Sequence, residues 1–186
     1  MFSFHRHTRS AARAAALLVA STAFCIAGVQ ATETVHMPLV LTAYSNGIGG
    51  AKLIDKKYDA ALVEIRRNKP QSSLASNAKM NNLCVALTAT RQLVEAKAAC
   101  TAALSSAKAE KLSAARFTGG LSDNSELAVA YSNRAVVYAL SQDMANAKAD
   151  LERAQVLAPK AEFVARNLAA AAFNRSTIAQ LDVATR

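Results

Sequence analysis

The chain has 186 residues, of which 52% are apolar, and it carries a formal net charge of +9. Only 6 glycines and 3 prolines interrupt an alanine-rich sequence, which points to one all-α domain long enough to bury a core. The basic residues form no stripe interleaved with aromatics, so the excess charge argues for solubility and acidic partners, not for nucleic acid.

Residues 1–31 are set apart as an export signal. Arg6, Arg9 and Arg13 make a positive start, residues 14–26 are uncharged and small or apolar, and Val29 and Ala31 suit a signal peptidase cutting after Ala31. The apolar run is shorter than the roughly 20 residues that span a bilayer, which argues against a retained anchor. Phe24, just before Cys25, stands where a lipoprotein signal has a small residue. Removal of the signal takes 3 basic residues and no acidic ones, leaving 19 against 13, or +6, over 155 residues. A periplasmic location with no stable membrane span is the expectation.

Residues 32–46 form an N-terminal arm. Pro38 favours an extended conformation before it, and Asn46-Gly47 signals a turn. A helical pattern runs from 51 to 67, broken near Lys56-Lys57, and Lys69-Pro70 stops it. A helix over 77–90 carries Met80, Leu83, Cys84 and Leu87, and another starts near Leu93. Residues 105–121 look inserted: the first part extends the preceding helix, and Phe117-Thr118-Gly119-Gly120 reads as a loop. Ser122–Glu126 supplies capping residues and negative charge for a helix over 127–140. Two further helices follow, one ended by Pro159 and one over 161–180, with residues 181–186 expected to fray.

Tyr131, Ala135, Tyr138, Ala147, Leu151, Ala154 and Pro159 stand at the intervals of a tetratricopeptide repeat, which residues 131–159 resemble. Arg134 departs from the pattern where an apolar residue is usual, and Gln142 departs where glycine is common. The same template moved back 51 residues meets Met80, Leu83, Cys84, Leu87, Ala96, Cys100 and Ala103, one repeat of about 34 residues plus an insertion. Moved forward one repeat, it meets Ala165, Leu168, Ala169 and Ala172. Asn82, Asn133 and Asn167 recur at one position, where the family often has asparagine. The resemblance implies a short α-solenoid: a degenerate unit at 47–73, units at 77–108 and 128–161, and a capping helix at 162–180.

Motifs for chemistry are sparse. His36 is the only histidine beyond the signal, and no nucleophile elbow, zinc-binding helix or phosphate loop occurs, so no catalytic, cofactor or metal residue is assigned. Residues 46–50 read as a structural turn. In an exported chain Cys84 and Cys100 suggest a disulfide. The repeat register implies that they face each other across a helix pair, as a bridge or as two buried thiols. The resemblance further implies a concave binding surface including Asn81, Val85, Val129, Ser132, Val136, Leu140, Phe163, Arg166 and Phe173. This surface takes another protein or an extended peptide, or it is covered by the arm or by a second copy in a homodimer. The carboxylate clamp of some relatives is unmatched, because Val85 and Val136 stand where asparagine is needed.

Overall fold

The computed structural model describes residues 38–118, 124–173 and 181–186. The expected export signal, His36, and residues 119–123 and 174–180 lie outside them. Among the described residues seven helices and two strands form, in the order β1 (Leu39–Ala43), α1 (Gly50–Ile54), α2 (Tyr58–Arg67), α3 (Ser73–Ala89), α4 (Leu93–Thr118), α5 (Ser125–Leu140), α6 (Met144–Leu157), α7 (Glu162–Phe173) and β2 (Leu181–Thr185). The chain is therefore mainly α, with a two-stranded parallel sheet added.

Helices consecutive in sequence pack on one another at every step from α1 to α7. α3 begins at Ser73, earlier than periodicity predicts, because the Ser72 hydroxyl accepts the Ala75 N–H at 3.1 Å. α6 starts in the same way, with Asp143 accepting from Asn146. α4 runs on through Phe117 and Thr118, so these two residues belong to a helix and not to the expected loop. No described helix is long and apolar enough to cross a membrane.

The tight helix turns are closed by residues with left-handed backbones: Lys56, Arg91 and Gln142 have φ of 59°, 62° and 63°. Glycine takes this conformation without a Cβ penalty, whereas Lys56, Arg91 and Gln142 each carry one. The turn after β1 does require glycine. A Cβ on Gly50 would lie 2.1 Å from the Tyr44 carbonyl oxygen, and Gly49 has φ of 78° with Ile65 against it.

Arg134 also finds its reason in packing. Its guanidinium grips Asp150 of α6 through Nε at 2.7 Å and Nη2 at 3.0 Å, and Arg153 adds a third contact at 3.0 Å. This bond raises the Arg134 pKa further, and the guanidinium lies 5.8 Å and 5.6 Å from the Tyr131 and Tyr138 ring centres. A charged pair thus holds α5 and α6 together.

The main core gathers Leu53, Ala61 and Ile65 of α1 and α2, Cys84, Val85 and Leu87 of α3, and Val136 and Val137 of α5. Leu39, Leu41 and Ala43 of β1 complete it. Cys84 and Cys100 join α3 to α4, with sulfurs 2.02 Å apart and Cα atoms 4.7 Å apart. Of the two outcomes expected for this pair, a bridge or two buried thiols, they sit at bonding distance.

Candidate functional site

The central feature is the manner in which β1 is held. A strand has two edges of peptide groups, and burying either edge unpaired is costly. On one edge of β1 the partners are side chains. The Val40 N–H donates to Oδ1 of Asn167 at 2.7 Å, and Nδ2 of Asn167 donates to the Val40 carbonyl at 2.8 Å. Asn133 makes the same two bonds to Thr42, both 2.8 Å, and Asn82 makes them to Tyr44 at 2.8 and 2.9 Å.

Asparagine suits this role because its carboxamide places an acceptor and a donor side by side, as a neighbouring peptide group would. Three helices, α3, α5 and α7, each offer one such group, and β1 with Tyr44 just after it meets them at every second residue. Second partners fix the amides in turn. Asn133 donates to Asn81 Oδ1 at 2.9 Å, Asn81 donates to the Thr42 carbonyl at 2.9 Å, and Asn167 donates to the Ser132 hydroxyl at 2.9 Å. Asn82 also reaches the Ile48 carbonyl at 3.1 Å and closes the turn after the strand.

The other edge of β1 pairs with β2, in parallel and in register from Leu39 against Leu181 to Ala43 against Thr185. The Arg186 N–H continues the ladder to the Ala43 carbonyl at 3.0 Å, and the Ser45 N–H donates to the Arg186 carbonyl at 3.2 Å. The tail expected to fray is thus an ordered strand. β1 needs it, because without β2 a second row of buried peptide groups would lack partners.

The residues expected to line a concave surface are found largely under this strand. Val85, Val129, Ser132 and Val136 are buried, and Val85 and Val136 lie in one apolar cluster with Leu39 and Leu41. Asn81 is buried against Thr42. Leu140 is half-buried on the same cluster. Phe163 and Arg166 remain half-exposed at the start of α7, and the Phe173 side chain lies outside the described residues. Of the coverings open to this surface, the chain's own arm is the one present.

The sequence supplied the recurring asparagine but no sign of what it holds. Asn77 extends the polar layer: its Nδ2 donates to carboxylates of Glu110 at 3.1 Å and Glu126 at 2.9 Å. Burial, reinforced by Glu126, raises the Tyr44 phenol well above its ordinary pKa, so the ring stays neutral. Among the described residues no group of three His, Cys, Asp or Glu side chains could hold a metal ion. No family model, curated protein or solved structure matches the chain.

Proposed function

We propose that this protein is an exported, non-catalytic scaffold of the tetratricopeptide type, which binds partner proteins through extended segments. The observation that carries the reading is the asparagine ladder, in which Asn82, Asn133 and Asn167 grip the backbone of β1. Those bonds read main-chain groups and no side-chain identity, which is the chemistry of strand recognition. On this reading the helices form a short α-solenoid of about three units, its concave side is filled by β1 and β2, and partners engage the rim at Phe163 and Arg166. The uncharged run at 14–26 and the paired cysteines support export to the periplasm.

Site-specific photo-crosslinking from Phe163 in the periplasm, followed by mass spectrometry, tests it. Crosslinks to extended segments of a small, reproducible set of envelope proteins are expected. An absence of crosslinks to any other protein would refute the scaffold reading.

A second reading, self-assembly, is favoured by one surface. An open trough of about 540 Å³ lies beside α5 and α6, lined in part by Leu127, Tyr131 and Leu157, and Val156 there is 82% exposed. Sedimentation of the mature chain decides, since a micromolar homodimer lost in Val156→Glu supports self-assembly.

A further inference from the structure

The face of the sheet turned away from the core leaves a cavity of about 310 Å³ against the start of α7. Val40, Thr42 and Ala184 contribute from the sheet, and Glu162, Phe163 and Arg166 from the helix, with Arg186 at its border. Thr42 and Ala184 are register partners, and Val40 and Thr42 share a face because strand side chains alternate. Leu39, Leu41 and Ala43 take the opposite face into the core.

Thr42 is the unusual member. Its residue is 2% exposed, and both of its main-chain polar groups are held by asparagines. Its hydroxyl oxygen is buried and has no hydrogen-bond partner. Buried hydroxyls are nearly always satisfied, so one left unpaired at the wall of a cavity calls for an atom that is supplied from outside.

Arg166 and Glu162 stand beside it. Arg166 reaches Asp182 through a single long contact of 3.5 Å, which leaves most of its fork of N–H donors for another acceptor. Glu162, exposed in the first turn of α7, has no ion pair among the described residues. Phe163 and Val40 add apolar surface. A simple anion would meet Glu162 and Asp182, and a simple cation would meet Arg166 and Arg186. A molecule carrying both charges satisfies both sides.

We propose that this cavity binds a small zwitterion of the α-amino-acid type with an apolar side chain. The carboxylate lies on Arg166 and accepts from the Thr42 hydroxyl, the ammonium lies on Glu162, and the side chain packs on Phe163 and Val40. The volume stands at the lower end of ligand pockets, about 300–1,000 Å³, which restricts the ligand to this size. The site shares Phe163 and Arg166 with the rim of the scaffold reading, but binding of a free amino acid and crosslinking to a protein are separate measurements, so either can fail without the other.

Titration of the mature chain with leucine and phenylalanine, followed by calorimetry and by amide shifts of Phe163 and Ala184, tests it. Sub-millimolar binding is expected, with the N-acetyl derivatives and the carboxamides each at least about ten-fold weaker. Arg166→Gln and Thr42→Val are each expected to weaken binding about ten-fold. Thr42→Val should unfold no more easily than the parent, because it deletes an unpaired hydroxyl; should it fail to fold, Arg166→Gln at the half-exposed rim decides. Three results overturn the proposal: no shift at about 10 mM ligand, equal binding of the blocked derivatives, or undiminished binding by Arg166→Gln.

Discussion

Asn133 holds both main-chain polar groups of Thr42, at 2.8 Å each, across 91 residues of sequence. Removing that side chain leaves the Thr42 N–H without a partner, although its carbonyl keeps Asn81. Asn133→Ala should therefore cost about 2–4 kcal/mol, from one orphaned buried donor plus a cavity. Urea unfolding measures the loss, and faster amide exchange at Thr42 than at Leu41 localises it. Asn82→Ala, at the half-buried end of the ladder, should cost about half as much.

Cys84 and Cys100 close a loop of sequence separation 16 between α3 and α4. In the chain-entropy account such a bridge contributes about 3 kcal/mol. Cys84→Ala with Cys100→Ala should lower stability by about that amount, with some compensation from the small core residues left behind. The mature chain, denatured without reductant, should show no reactive thiol, and detection of two would refute the bridge.

Arg134 and Asp150 form a charged contact in which Asp150 is almost wholly buried. Arg134→Leu should destabilise by about 2–3 kcal/mol because Asp150 keeps only Arg153. Adding Asp150→Leu should recover most of that loss. A double-mutant cycle by thermal unfolding reads the coupling directly.

Gln142 and Arg91 both hold left-handed backbones in helix turns. Gln142→Gly should stabilise the chain by about 0.5–1 kcal/mol, since relief of the conformational penalty exceeds the added freedom of the unfolded state. Gln142→Val should destabilise it, because a β-branched residue resists positive φ. Comparison of melting temperatures checks both.

Glu64 gives a dependence on acid. Its hydrogen bond to Lys52, with a further one from the Gly49 N–H at 3.3 Å, holds the carboxyl below its ordinary pKa. Its folded value is lower than its unfolded value, so the contribution is present above the ordinary glutamate range and fades as pH falls through the lowered folded value. The pair is partly exposed, so the effect should stay below about 1 kcal/mol. Glu64→Gln should flatten this part of the stability profile below about pH 4.5, measured by urea unfolding at stepped pH.

Local patterning wrote much of this fold. Met80, Cys84 and Leu87 recur at helical intervals, and Tyr131, Ala135 and Tyr138 repeat the pattern 51 residues later, so the helices were legible. Ser72 and Gln142 were less legible, because a cap three residues upstream and a left-handed turn without glycine depend on local hydrogen bonds that composition only suggests. The tail was misread for a different reason. LDVAT carries no turn signal linking it to a partner, and its pairing with LVLTA spans 142 positions from Leu39 to Leu181.

The sequence by itself determined the helical class, the placing of Cys84 and Cys100 in consecutive helices and the recurrence of asparagine at 82, 133 and 167. Helix periodicity and register are properties of neighbours along the chain, and they survive without knowledge of the fold. Only the tertiary structure decided that those asparagines clasp β1, that β2 returns to cover its other edge, and that Val85, Val129 and Val136 lie buried. An asparagine's spacing states which way it faces, but its partner is whichever peptide group the folded chain brings within about 3 Å. Strand pairing depends on that same long-range closure, so it was settled by burial and hydrogen-bond satisfaction and not by any signal within five residues of either strand.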